Sequence, residues 1–380
     1  MSDVEAWRAE FPAVADGGLV HLNNCSAGPI PRRGLEARRE CERVWIEEPN
    51  PWETWLAKVE EAKELFAGLI GADAHELAVC SGATDALARL ASAFDYGDRD
   101  GVVVSDLEFP TVPQFWHGQE GRGATVSYAT SPDGIGVPVD AYADVVDDET
   151  LLVSTSHARS FTGSLLDVEG VADVVHDRGG YLVLDAYQSA GVVPIDVDAM
   201  GVDALVAGTL KFLLGGPGIA FLYVDDAVVE DLEPTARGWF GAEGVFGFER
   251  DPEYAPGARR FELGTPPATC AYQAAAGLDL IREVGVDRIR ERVVRHTRRL
   301  IDGAEDRGFP VRTPRDDDER GGVVNVQVED PDATEAAMLD DGFALSTRAG
   351  GIRLAPHFFT TDDEVDAALA ALETHASPAT

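Results

Sequence analysis

Three separated segments carry residue types that could do chemistry together. Lys211 stands in Gly208-Thr209-Leu210-Lys211-Phe212-Leu213-Leu214-Gly215-Gly216-Pro217-Gly218 and is one of three lysines in the chain, with Lys58 and Lys63. A lysine amid apolar and glycine residues is either a surface-turn residue or a desolvated amine, whose lowered pKa suits it to condense with a carbonyl. Asp185 closes the apolar run 181–184 and is followed by Gln188. It is either a turn or cap residue or a carboxylate that needs a cation. Ser81-Gly82-Ala83-Thr84-Asp85-Ala86 leads into a helix. It reads as an N-cap or as a cradle of free N–H groups, with the Thr84 hydroxyl, for an anion. An anion cradle, a carboxylate able to keep a pyridine nitrogen protonated, and a lysine are what pyridoxal phosphate requires, so the combination suggests that cofactor.

Other nucleotide and nucleophile signatures are missing. Gly215-Gly216-Pro217-Gly218 precedes an apolar strand and is no G-x-G-x-x-G opening a helix, and neither a Walker lysine motif nor a G-x-S-x-G elbow occurs. A nicotinamide-dependent dehydrogenase therefore lacks its fingerprint. The four cysteines, Cys25, Cys41, Cys80 and Cys270, show neither CxxC nor Cys/His ligand spacing, so no disulfide framework and no metal site is expected.

The elements that must hold these groups alternate between short apolar runs and helix-length stretches over residues 76–224, the pattern of a parallel sheet with crossover helices. Strands are predicted at Glu76–Cys80, Gly101–Ser105, Ala124–Tyr128, Thr150–Ser154, Tyr181–Asp185, Val202–Ala207 and Gly218–Val224. The candidate residues follow three of these strands, where ligands of open α/β sheets bind. After residue 265 come helices Ala268–Val284 and Asp287–Arg307, short strands near Gly322–Val328 and Ile352–Ala355, and a helix Asp362–Thr374. The expected division is a large domain, 21–265, and a smaller α+β domain, 266–380 with 1–20. The acidic stretch Thr313–Gly322 reads as a solvated connection.

Charge restricts the partners. The chain has 68 Asp+Glu against 31 Lys+Arg, a formal net charge of −37. That field repels nucleic acid and anionic membrane surfaces. An acidic, lysine-poor surface is one that high salt favours by screening self-repulsion, so a halophilic source is expected. No apolar stretch approaches bilayer length and the N-terminal residues lack signal-peptide features, which predicts a cytoplasmic protein.

The chain resembles the class V aminotransferase family of pyridoxal-phosphate enzymes, the group containing cysteine desulfurases, isopenicillin epimerase-like proteins and kynureninases. The resemblance runs from about His21 to Leu372. It rests on His21-Leu22-Asn23-Asn24, Ser81-Gly82-Ala83-Thr84, Glu108-Phe109-Pro110-Thr111, Ser156-His157 and Thr162-Gly163. It continues in Asp185-Ala186-Tyr187-Gln188-Ser189-Ala190-Gly191, Lys211, Arg260-Phe261-Glu262-Leu263-Gly264-Thr265-Pro266 and Ile352-Arg353-Leu354-Ala355-Pro356-His357. It implies fold type I, an α/β large domain with a mostly parallel seven-stranded sheet and a smaller α+β C-terminal domain. It further implies that Lys211 forms the Schiff base and moves protons, Asp185 pairs with the pyridinium nitrogen, and Gln188 bonds the phenolic oxygen. Ala83 and Thr84 would hold the phosphate, Phe109 would stack on the ring, and Arg353 would grip the substrate carboxylate. Thr265 would reach a neighbouring subunit's phosphate, implying a homodimer.

Departures from the family pattern narrow the chemistry. Leu210 stands where relatives often place a phosphate-contacting side chain, so Thr209 or the Gly208 N–H would compensate, and Ser160 stands where desulfurases usually have asparagine. Thr347-Arg348-Ala349-Gly350-Gly351 carries no cysteine, and none follows Cys270. Sulfur transfer through a persulfide is therefore not expected. Gly238-Trp239-Phe240-Gly241, Gly215-Gly216-Pro217-Gly218 and Gly264-Thr265-Pro266-Pro267 resemble kynureninases and the epimerase-like branch. The resulting expectation is an amino-acid transaminase or side-chain lyase. The alternatives are an epimerase-like or a cysteine/selenocysteine lyase-like enzyme, and a non-catalytic relative is disfavoured by the intact lysine, aspartate and arginine. Asn24, His157, Trp239 and His357 are candidates for steering the reaction, Asn24 as a substrate contact.

Overall fold

The structure, a computed structural model, describes residues 3–379. Seven strands build the central sheet: β1 (Leu77–Cys80), β2 (Gly101–Ser105), β3 (Thr125–Ala129), β4 (Thr150–Ser156), β5 (Tyr181–Asp185), β6 (Ala204–Gly208) and β7 (Ala220–Val224). Their order across the sheet is β1-β7-β6-β5-β4-β2-β3. Only β7 runs antiparallel, to both β1 and β6; the other pairings are parallel. Every residue of β4, β6 and β7 is buried, as befits strands covered on both faces. Successive β5 side chains feed opposite layers. Leu182 and Leu184 join the core that includes Phe66 of helix Trp52–Ile70, while Val183 joins the core that includes Leu87 and Leu90 of helix Ala83–Ala91. Helix Trp52–Ile70 stops where Gly71 takes a left-handed φ of 77°, a conformation without penalty for glycine.

The C-terminal region forms an antiparallel sheet of Val324–Gln327, Gly351–Leu354 and Ser346–Arg348, packed with helices Val286–Glu305 and Asp362–His375. Thr361 and Glu364 close a reciprocal capping box on the last helix. Val20–His21 pairs with Phe343–Ala344, which ties the N-terminal segment to this region. Helix Ala268–Val284 begins just beyond the expected domain boundary. Its Ala271, Ala274 and Leu278 pack beneath the large sheet, and its Leu280 and Ile281 join Phe11, Phe358 and Phe359 at the junction.

Two features depart from the sequence reading. The segment 313–322 is no simple solvated connection, because Arg320 is fully buried and its guanidinium donates to Thr297 Oγ1 (3.0 Å) and to the Arg315 carbonyl (2.5 Å). Strand Ser346–Arg348 and helix Pro331–Asp340 had no sequence assignment. The strand is only three residues, all of them polar, and the helix is acidic without a continuous apolar stripe. No helix among the described residues is long and apolar enough to cross a membrane.

Candidate active site

The sheet brings the ends of β1, β5 and β6 to one side, and the three segments that follow them line a single cleft of about 290 Å³. Lys211, Asp185, Gln188, Ala83, Thr84 and Phe109 all border it, together with Tyr187 and Ser160. A wider hollow of about 480 Å³ between 132–139 and 313–319 holds no lysine, so volume alone does not select the site. The cleft with convergent ionisable groups does.

Lys211 sits in the turn after β6. Its Nζ lies 4.3 Å from the centre of the Tyr187 ring and 5.7 Å from that of Phe109. Burial pushes its amine down to about 8, against the pull of Asp185 and with the repulsion of Arg353. Burial likewise pushes the Asp185 carboxyl up to about 6, opposed by the Tyr187 N–H that its Oδ1 accepts at 2.8 Å and by the charge of Lys211. Two groups displaced toward neutrality from opposite sides are suited to exchanging protons near pH 7.

The turn is clamped from behind. Gly28 N–H donates to the Leu210 carbonyl at 2.9 Å, and a Cβ on Gly28 would stand 2.3 Å from the Lys211 carbonyl oxygen. Leu214 takes a left-handed φ of 58° to complete the turn, a local strain tolerated because its surroundings fix it. His357 donates from Nε2 to the Phe212 carbonyl (2.9 Å) and accepts the Phe358 N–H at Nδ1 (2.8 Å). Both ring nitrogens are thus occupied and burial holds the imidazole down to about 4, so His357 braces the turn as a neutral ring. Gly208 has a second duty: a Cβ there would fall 2.3 Å from the Tyr187 ring that packs beneath the lysine.

At the other end, helix Ala83–Ala91 presents its first N–H groups with no side-chain cap on Gly82. Asp85 would oppose an anion there, but its carboxylate is tied to the Ser81 N–H (2.9 Å) and to the Arg89 guanidinium (2.6 Å). The first turn is therefore electrically suited to a phosphate. Two residues lining the cleft carry buried polar atoms without partners, Gln188 Oε1 and Ser160 Oγ. Orphans so grouped mark a site completed by a bound polar molecule.

Residues 51–362 match the aminotransferase class-V family. The chain is 35% identical over 361 residues to a Bacillus subtilis (strain 168) protein named uncharacterized aminotransferase YcbU, covering 95% of each. It is 30% identical to the kynureninase of Deinococcus radiodurans, covering 91% of this chain and 86% of that one. The apo cysteine desulfurase of Thermococcus onnurineus NA1 shares the fold at a TM-score of 0.87 and 21% identity, covering 97% of each chain.

The chain belongs to the class V aminotransferase family.

As a class V family member it has fold type I and is a pyridoxal-phosphate-dependent enzyme. The cleft fits that cofactor: an uncapped helix end for the phosphate, a carboxylate and an amine facing one space, and unpartnered acceptors and donors between them. Gln188 donates one amide hydrogen to the Cys25 carbonyl (3.0 Å), which orients the side chain and leaves its second hydrogen for a ligand. The remaining expected site residues lie outside the cleft wall. Thr209 is fully buried and its hydroxyl donates to the Gly216 carbonyl (2.7 Å), closing the glycine turn. Arg353 and Asn24 do not line the cleft, although the charge of Arg353 is felt by Lys211. The Arg353 guanidinium donates to the Ser160 carbonyl and to Ser346 Oγ, both at 2.8 Å, and Asn24 Nδ2 to the Ala355 carbonyl at 2.8 Å. Thr265 is exposed on this chain's surface. Trp239 packs with Trp52, Phe240 and Phe248, away from Lys211. Sequence reasoning gave no role to Tyr187, although its place between Asp185 and Gln188 on a strand-end turn was visible, nor to Glu108 and Arg159.

Proposed function

We propose that this enzyme acts on an amino acid as a transaminase or side-chain lyase of the kynureninase-like kind. The observation that carries this reading is the Lys211 amine, largely shielded between the Tyr187 and Phe109 rings, in the same cleft as Asp185. Pyridoxal phosphate, when bound, supplies a carbonyl for the amino group and an electron sink for the bond that breaks. Asp185, ionised above about pH 6, balances a protonated ring nitrogen. Lys211, with its amine near 8, takes and returns a proton at Nζ. Phe109 and Tyr187 wall the lysine from water. Arg353 carries an unpartnered Nε beside Ser160, and its planar fork suits a substrate carboxylate.

The cysteines support a reaction without a persulfide: Cys25, Cys41 and Cys80 are buried, Cys270 is half-buried beside Gly218 on the glycine turn, and the loop 347–351 has none. The test is the visible absorption of the cofactor-loaded protein in molar salt with alanine, cysteine and kynurenine added in turn. A band that shifts with kynurenine or alanine supports the proposal. A response to cysteine alone favours the cysteine lyase-like alternative, and no response to any of the three defeats it.

Substitution Arg353→Ala is expected to raise KM for the amino acid roughly a hundredfold while cofactor affinity stays within about twofold. Steady-state kinetics and cofactor titration check this, and equal loss of both would assign Arg353 a purely structural part.

We further propose a homodimer, cytoplasmic and adapted to high salt. Phe246 is 56% exposed, Phe248 73%, Trp45 64% and Ile46 84%, an apolar surface that a second copy would cover, with exposed Thr265 nearby in sequence to this aromatic loop. With a net charge of −37, the melting temperature is expected to rise by several degrees between dilute buffer and about 2 M KCl, where repulsion is screened. Scanning calorimetry reads the shift and sedimentation reads the dimer; a salt-independent monomer would refute both.

A further inference from the structure

Two walls of the cleft come from distant parts of the chain: the loop carrying Phe109 after β2 and the loop 158–165 after β4. Between them lies a buried ion pair, Glu108 with Arg159. The Glu108 carboxylate accepts hydrogen bonds from Ser105 Oγ (2.8 Å), Thr155 Oγ1 (2.9 Å), the Ser156 N–H (3.1 Å), the Ser156 hydroxyl and the Arg159 guanidinium. Arg159 also donates to the Tyr142 hydroxyl (2.8 Å) and to Thr155 Oγ1 (3.1 Å). Its backbone N–H meets the Ser164 carbonyl (2.8 Å) and its carbonyl the Gly163 N–H (2.9 Å), so the same residue closes the 158–165 loop.

Each member of the pair is covalently next to a working residue. Glu108 precedes Phe109, whose ring faces the lysine at 5.7 Å. Arg159 precedes Ser160, whose carbonyl receives Arg353 at 2.8 Å. Ser156, held by Glu108 through both N–H and hydroxyl, is the register partner of Asp185 across β4 and β5. An ion pair this deeply buried contributes little net stability over an apolar pair, but its forked hydrogen bonds fix directions that apolar packing leaves free.

We propose that the Glu108–Arg159 ion pair is the positioning device of the site, locking the Phe109 wall, the Asp185 strand end and the Ser160–Arg353 contact into one unit. Cofactor ring and substrate carboxylate then meet groups already in place. The proposal rests on the reading of the Lys211 cleft as the cofactor and amino-acid site.

Glu108→Gln or Arg159→Met alone strands one buried charge and is expected to lower the melting temperature. The double variant Glu108→Gln/Arg159→Met removes both charges and is expected to regain most of it. In that variant the dissociation constant for pyridoxal 5′-phosphate should rise roughly tenfold and KM for the amino acid roughly fivefold, with a weakened visible circular-dichroism band from the bound cofactor. Tyr142→Phe, which removes one Arg159 acceptor and no charge, should move the same readouts about two- to fivefold at a nearly unchanged melting temperature. It decides the matter if the double variant does not fold. Unchanged cofactor affinity, KM and band in either folded variant would overturn the proposal. Should the unsubstituted protein itself show no cofactor band, the reading of the cleft fails first and takes the proposal with it.

Discussion

Lys211→Ala is expected to leave a folded protein that no longer holds pyridoxal phosphate covalently and whose turnover falls by roughly three to four orders of magnitude. The fold should survive because the Lys211 side chain supports no strand or helix: its Nζ faces two rings, while the turn is held by backbone contacts to Gly28 and by His357. Removing a largely shielded amine also removes its desolvation cost. Borohydride reduction followed by mass spectrometry reads the covalent link, and far-ultraviolet circular dichroism reads the fold. A variant that still traps cofactor after reduction would rule out Lys211 as the attachment point. Residual non-covalent binding is compatible with the assignment, since the helix end at Ala83–Thr84 and Asp185 are untouched.

Acid is expected to unfold this protein well before its carboxylates alone would. His21, His157, His296 and His357 are buried, and burial above all holds each imidazole down to about 4 from an ordinary 6.5. Between those values the unfolded chain binds protons that the folded chain refuses. Stability is therefore fully present above about pH 6.5 and is lost as pH falls toward 4, with up to roughly 3 kcal/mol at stake per histidine. Asp185, Glu76 and Glu262 work in the opposite sense, because burial raises each carboxyl and it takes a proton more readily when folded. Asp85, Asp133 and Asp366, whose carboxyls are lowered, add to the histidine effect. Urea midpoints measured in molar salt from pH 7.5 to 4.5 should fall steeply below pH 6 with constant slope. His296→Leu, which removes a buried imidazole whose nearest carboxylate, Asp362, is 3.5 Å from Nδ1, should flatten that fall by about a quarter. A midpoint independent of pH over this range would contradict the account.

The strands were legible to within about two residues because buried parallel strands are written as continuous apolar runs, and β2 and β5 coincide with their expected limits, Gly101–Ser105 and Tyr181–Asp185. The convergence of Lys211, Asp185 and the Ala83–Thr84 helix end was legible for a topological reason: strand ends of one sheet face share a crevice. What resisted reading were side-chain destinations. Thr209 is beside Lys211 in sequence, yet its hydroxyl is captured by Gly216. Tyr187 acts on the lysine because its ring leans across onto β6, which only Gly208 permits. Arg353 meets Ser160 from another part of the molecule. Local pattern encodes element and face, whereas such contacts depend on how two faces, distant in sequence, come together.

The antiparallel placement of β7 has a consequence for assembly. Lys211 is carried on the connection between β6 and β7, neighbours that pair in register from Gly208 with Ala220, so the hairpin bearing the lysine closes through sequence-local contacts, whereas its clamps at Gly28 and His357 come from distant parts of the chain. The phosphate end follows β1, which reaches the sheet only by pairing with β7, Cys80 against Ala220. That pairing joins the strands most distant in sequence in this sheet, so recovery of cofactor binding during refolding is expected to report its closure.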